Sequence, residues 1–442
     1  MNNLKKLIAV LLCLVLAAGL LAACSGGGDN QGSNPSSGSE SGSGDKTPAD
    51  DTPKEKITLT VWCSQEDQAM TKEMCQAYAE ANPQNTYKFL FGVQSESDAA
   101  DKVLNDPESG PDLFSFASDQ INKLIQAGAL ARLGGTYLDS VKAADSAESV
   151  DACTVKIDGE DRVYAYPCTG DNTYFMYYDK SVFTENDVKS LDKMLEIAKQ
   201  KNKLVAFKLY DDGWYLSSFF FADPELKYSV TYDKDLTETA ISINYDSAKG
   251  LEVMKALRGY FANSALSSNV DDSKIIAGIQ SGTIAACVTG TWNRTAIKDA
   301  WGNNMATAVL PTATIGGREV KLNGFFGYKL YGVNGYSKNK AEAHKLALWL
   351  TNEANQLKRF QTRGLGPTNK TVMQSSQVKS DPIISVVLQE AAYFRSQKGV
   401  PSTYWTPMGS LTKQFVEADD PMTVTDATLQ ELLNSLCSQI RK

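Results

Sequence analysis

The stretch from Ile57 to Phe91 allows few folds. Ile57-Thr-Leu-Thr-Val-Trp62 alternates apolar and polar residues, the period of a strand. Met70, Met74 and Tyr78 then recur at helical spacing, and Asn82-Pro83 stops that helix. Tyr87, Phe89 and Phe91 alternate again. Strand, helix and strand in succession make a parallel unit, which must cover its sheet with helices.

The pattern recurs along the chain. After Gly110-Pro111, Asp112-Leu-Phe-Ser-Phe116 reads as a short buried strand, with Ile121, Leu124 and Ile125 on the helix behind it. Ser190 is placed to cap a helix bearing Leu191, Met194, Leu195 and Ala198, and the segments 204–209 and 284–288 read as strands. From Ala341 onward helices dominate, the last carrying Leu429, Leu432, Leu433 and Leu436. The chain from Ile57 to Lys442 is long enough for two domains of about 100–200 residues each. The expectation is α/β: two lobes, each a mainly parallel sheet flanked by helices, with a cleft as the default ligand site.

The N-terminal segment is of another kind. Lys5 and Lys6 precede an apolar run from Leu7 to Leu21, then Ala22-Ala23-Cys24. A basic start, a short apolar stretch and small residues read as an export signal over residues 1–23, too short for the ~20 residues of a comfortable membrane span. Leu21-Ala-Ala-Cys24 resembles the lipobox of bacterial lipoproteins, which implies lipidation of Cys24 and a cell-membrane location on the extracytoplasmic face. Residues 24–56 are mostly Gly, Ser, Asp, Asn and Pro, a composition expected to remain a disordered tether.

Charge and cysteine content narrow the function classes. The formal charge of −8 becomes −10 once Lys5 and Lys6 are gone, and no basic cluster exists to neutralise phosphates, which argues against nucleic acid. Beyond Cys24 lie Cys63, Cys75, Cys153, Cys168, Cys287 and Cys437. Cys153 and Cys168 flank an expected hairpin turning at Asp158-Gly159, so either a disulfide or two reduced thiols fits them. With His344 the sole histidine and no Cys-x-x-Cys, a zinc site or a histidine-based triad lacks material. No metal or cofactor is expected.

At this point the order of elements resembles the extracellular solute-binding proteins of sugar importers, and among them the maltose/maltodextrin-binding proteins. Gly110-Pro-Asp112 with Phe116-Ala-Ser-Asp119 and Gln126-Ala-Gly-Ala-Leu130 carries the likeness. So do Tyr164-Ala-Tyr-Pro167 with Tyr177-Tyr-Asp-Lys180, and Gly282-Thr-Ile-Ala-Ala286 with Thr289-Gly-Thr-Trp292 and Val309-Leu-Pro311. The resemblance implies a two-lobe fold of the type II periplasmic-binding-protein kind, hinged by crossing strands. It places one lobe at 57–168 plus 327–375 and the other at 169–326 plus 376–442. It also implies a monomer, without enzymatic activity, that passes an oligosaccharide to the permease of an ABC importer.

An oligosaccharide offers C–H ring faces that pack on aromatic side chains and hydroxyls that bond to carboxylates, so a site needs both residue kinds. The resemblance places Trp292 as the main stacking ring, with Asp212 and Trp214 as an acid followed by an aromatic. Phe116 and Asp119 align with an aromatic and an acid of the first lobe, and Asp171 with an acid past the crossing strand. Ser64 and Glu66 follow the opening strand, and Tyr404-Trp405 falls where the family offers another ring. Gln120 stands where the maltose binders have arginine, and Arg294 has no evident role. Two alternatives remain: the same scaffold with another oligosaccharide, a glycoside or a peptide, and, remotely, a glycosidase using Asp171, Asp212 or Glu66.

Overall fold

The computed structural model describes residues 54–442; the signal segment, Cys24 and nearly all of the expected tether lie outside them. The opening strand runs Glu55–Cys63 (β1), with Ile57, Leu59, Val61 and Cys63 facing inward. Its parallel neighbour is Asn85–Val93 (β2), in register from Ile57 opposite Tyr87 to Val61 opposite Phe91. Between them the helix Gln68–Ala81 buries Met70, Met74 and Tyr78, the i, i+4 face read from the sequence. Leu113–Ala117 (β3) is buried at all five positions and pairs with β1 in parallel.

Two crossings follow. Tyr166–Asn172 (β4) lies in the first lobe, and after two intervening residues Phe175–Asp179 (β5) begins the second. The second lobe adds Leu204–Phe207 (β6), Leu266–Ser267 (β7), Ile284–Thr289 (β8) and Met305–Ala308 (β9). Phe325–Val333 (β10) then returns to the first lobe, and Arg395–Ser396 (β11) pairs with its start. The first sheet has the order β11-β10-β3-β1-β2, with β4 also on β10; the second has β7-β6-β8-β5-β9.

Both sheets also carry antiparallel pairings: three of the five in the first sheet are parallel, β10 with β11 included, and two of the four in the second. β1 pairs in parallel with β2 and β3, and β6 with β7 and β8. β10 is antiparallel to β3 and β4, and β5 to β8 and β9. The cause is the crossing itself: a chain that runs straight from one lobe into the other has no crossover helix to restore its direction.

Each lobe has its own core, and the crossing strands belong to both. On β10, Phe325 packs in the second core, whereas Leu330, Tyr331 and Val333 pack in the first. Along β4 and β5, Tyr166 and Cys168 belong to the first, and Tyr174 and Met176 to the second. The hairpin expected at Asp158-Gly159 joins Thr154–Ile157 to Glu160–Val163, both turn residues having positive φ (54° and 80°), as a two-residue turn between twisted strands requires. Cys153 and Cys168 beside it are free and buried, as are the other four described cysteines, so the disulfide alternative is not the one adopted.

Candidate functional site

A cleft of about 1010 Å³ opens where loops leave the carboxyl ends of strands in both sheets. From the first lobe it is lined by Ser64 and Glu66 beyond β1 and by Asp119 beyond β3. From the second come Asp212 and Trp214 beyond β6 and Trp292 beyond β8, and the C-terminal segment adds Trp405. Seven of the ten sequence-indicated residues therefore share one space.

Glycine makes room for the aromatic wall. A Cβ at Gly290 would stand 2.0 Å from the Trp292 ring, so only glycine lets the indole fold over the end of β8. The Trp292 Nε1–H donates to Asp272 at 3.2 Å, fixing the ring's edge. Gly213 serves a different contact: a Cβ there would lie 2.7 Å from the Trp405 carbonyl and 2.9 Å from the Met408 Cβ, so it lets the helix that begins at Trp405 pack close. Trp214 packs edge-on against Tyr174 (4.6 Å, 80°) and Tyr215 (5.0 Å, 76°), and its indole nitrogen is buried. With one indole nitrogen bonded and the other buried, both tryptophans line the cleft.

The carboxylates differ in how much of each is free. Asp212 Oδ1 accepts from the amides of Trp214 (3.0 Å) and Tyr215 (3.1 Å), capping the helix Gly213–Phe220, while its Oδ2 pairs with Lys208 at 2.8 Å. It holds Trp214 in place. Asp119 accepts from Gln397 Nε2 at 2.9 Å, and Gln397 in turn accepts from Asn172 of β4 at 2.8 Å. Burial pushes the Asp119 carboxyl up to about 7, against the opposing pull of Lys123 and of its hydrogen bonds. Glu66 is exposed, and Arg363 bonds only its main-chain oxygen, at 3.1 Å.

Three of the sequence-indicated residues are elsewhere. Phe116 is fully buried on β3, tilted against Phe114; both faces of a central strand are covered, so only residues past its end reach the cleft. Asp171 is fully buried at the crossing, where its Oδ2 accepts from the Thr291 hydroxyl (2.6 Å) and the Gly366 amide (2.7 Å). It ties the crossing strand to two other segments. Tyr404 is fully buried in the second core, its hydroxyl 2.8 Å from that of Ser217, and its neighbour Trp405 takes the cleft position. With Asp171 enclosed and both oxygens of Asp212 engaged, the three acids considered for glycosidase chemistry supply no acid–base pair.

Of the two loose ends, Gln120 borders the cleft with its amide already engaged, and Arg294 does not line it. Gln120 is buried, donating to the carbonyls of Glu96 (3.1 Å) and Ser97 (2.7 Å) and accepting from the Ala100 amide. Arg294 pairs with Asp381 at 2.5 Å and donates to the Gly364 carbonyl at 3.3 Å.

Sequence reasoning missed the cations. Lys329 of β10 lines the cleft, 3.4 Å from Glu96 and 5.6 Å from the Trp292 ring centroid. Burial works against its charge, but Glu96, Asp171 and Asp67 outweigh that and raise its pKa. Arg363 donates to the Trp292 carbonyl at 3.3 Å and stands 3.6 Å from Asp67, joining β8's loop to β1's. A lysine inside Phe325-Phe-Gly-Tyr-Lys-Leu-Tyr331 was a visible signal, since a charge in an apolar strand needs a partner. Among the described residues no cluster of three His, Cys, Asp or Glu side chains is placed to hold a metal.

Residues 73–386 match the bacterial extracellular solute-binding protein family. The galactooligosaccharide-binding protein of Bacillus subtilis is 24% identical over 68% of this chain and 71% of its own. A maltooligosaccharide ABC transporter solute-binding lipoprotein of Streptococcus pneumoniae is 24% identical over 97% of this chain and 99% of its own. A solved structure described as a complex with acarbose shares 34% identity and a TM-score of 0.76, covering 87% of this chain and 98% of that one. The named relatives are binding proteins, not enzymes. A two-lobe α/β chain with a ring-lined cleft between its sheets, matched along most of its length, is thus a member of the bacterial extracellular solute-binding protein family.

Proposed function

We propose that this protein is the lipid-anchored binding component of a carbohydrate importer, holding a malto-oligosaccharide in the inter-lobe cleft and presenting it to a membrane permease. The observation that carries the reading is the pair of rings of Trp214 and Trp292, with Trp405, Asp119 and Glu66 around the same space. Rings of this kind bury pyranose C–H faces, and a carboxylate accepts strongly from hydroxyls. Ser64 and Asp212 line the space as well, Asp212 chiefly by setting the Trp214 backbone.

The pneumococcal relative, named a lipoprotein and aligned over nearly the whole chain, supports lipidation at Cys24 and attachment on the extracytoplasmic face. The crossings support lobes at 57–168 plus 327–375 and 169–326 plus 376–442, joined so that a ligand touching both favours their closure around it. We take the protein to act as a monomer.

A second reading, another oligosaccharide on the same scaffold, is favoured by the Bacillus relative named for galactooligosaccharides. Thermal unfolding with maltotriose, acarbose, a galacto-oligosaccharide and cellobiose separates the two. A ligand at 100 times its dissociation constant adds about 2.7 kcal/mol, a clear rise in Tm. The proposal expects that rise with maltotriose and acarbose. A rise with the galacto-oligosaccharide alone moves the assignment to the second reading, and none with any glycan defeats both.

A further inference from the structure

The hairpin formed by Tyr228–Tyr232 and Glu238–Ile243 belongs by chain order and core to the second lobe, pairing only with itself. Its tip does not stay there. Leu236 is buried among the apolar side chains of the first lobe's core, and both Leu236 and Tyr232 line the cleft. On the first-lobe side, Asn122 stands against the Tyr232 hydroxyl, and Asn122, Lys123 and Gln126 line the same part of the cleft.

The tip is built rigidly. Asp233 Oδ1 accepts from the amides of Asp235 (2.9 Å) and Thr237 (2.8 Å), and the Asp233 amide donates to the Thr237 carbonyl at 3.0 Å. Leu236 sits at φ 61°, a region that disfavours any residue with a Cβ. Backbone held in that region around a buried leucine points to a position that the surrounding contacts impose. The strand leaving the tip is also tied: both oxygens of Glu238 accept from Ser402, from its amide and its hydroxyl, each at 2.7 Å.

We infer that this hairpin is a specificity-determining end wall: by spanning the cleft from the second lobe to a socket in the first, it makes the site accept the terminus of a linear glucan and reject one without an end. The inference rests on the glucan reading proposed above. A groove blocked by a fixed segment discriminates through the clash it imposes on the wrong shape, without needing tighter contact to the right one.

Calorimetric titration of the full folded chain with maltotriose, maltoheptaose and β-cyclodextrin tests it. The native protein should bind both linear sugars and bind the cyclic one at least about a hundredfold more weakly. Two variants open the wall: Leu236→Gly, which suits the positive φ and empties the socket, and replacement of residues 233–237 by Asn-Gly, which shortens the tip. Either should raise the ratio of cyclodextrin affinity to maltotriose affinity by about tenfold or more. Native protein that binds cyclodextrin as tightly as maltoheptaose, or variants whose cyclic-to-linear ratio does not move, overturn the end wall alone. Native protein that ignores maltotriose defeats the glucan reading and this inference with it.

Discussion

The rings of Trp214 and Trp292 stand with centroids 5.9 Å apart and planes inclined at 38°. Two rings that close cannot admit a pyranose between them, so a sugar held here lies across both, with the rings forming one wall. Their anchoring is unequal, because Trp214 packs into the Tyr174–Tyr215 cluster and Trp292 rests over a strand end. Trp214→Ala should therefore cost about 3 kcal/mol of stability and Trp292→Ala about 1 kcal/mol or less. Urea unfolding of the two variants reads the difference.

Gly290→Ala places a methyl where the Trp292 ring now lies. The indole must swing off the strand end, so affinity should fall about as far as in Trp292→Ala although the tryptophan remains. Gly290→Ala with native affinity would mean that the ring's position does not matter to binding.

Asp119 titrates near neutrality because burial holds its carboxyl at about 7. Two consequences have fixed signs. The folded state binds the proton more tightly than the unfolded chain, so Asp119 makes the unliganded protein lose stability as pH rises from about 4 to about 7. Ligand hydroxyls bond better to the ionised form, so affinity should weaken by up to about tenfold between pH 8 and pH 6. Asp119→Asn should flatten that profile in calorimetric titrations across the range.

Asp171 separates a hinge role from a ligand role. Asp171→Ala removes two hydrogen bonds to a buried carboxylate and should cost about 3 kcal/mol of stability. Sugar affinity per folded molecule should stay within about threefold. An undiminished midpoint of urea unfolding with lost binding would place Asp171 on the ligand instead.

Much of the architecture was legible because local pattern and tertiary role agree. The alternation in β1 and β2, the Met70–Met74–Tyr78 face and the Asp158-Gly159 turn each follow from a few neighbouring residues. Trp214 and Trp292 were placed by the family resemblance, and each stands shortly after a buried strand, where the cleft opens. Phe116 and Asp171 misled for one reason. A sequence shows that a strand ends nearby but not which residue is the last one covered, and a shift of one or two positions separates core from cleft. Tyr404 and Trp405 differ by a single step in the same way. The antiparallel crossings, Lys329, Arg363 and the reach of Leu236 depend on segments far apart in the chain, and no local pattern encodes which of them meet.

The central claim is that the Trp214–Trp292 wall holds an α-glucan, and calorimetric titration of maltotriose into the native protein and into Trp292→Ala addresses it most directly. The account predicts saturable one-to-one binding to the native protein, weakened by about thirtyfold in the variant, whose fold survives. Equal affinity in the two proteins, or no heat of binding in the native one, would contradict it.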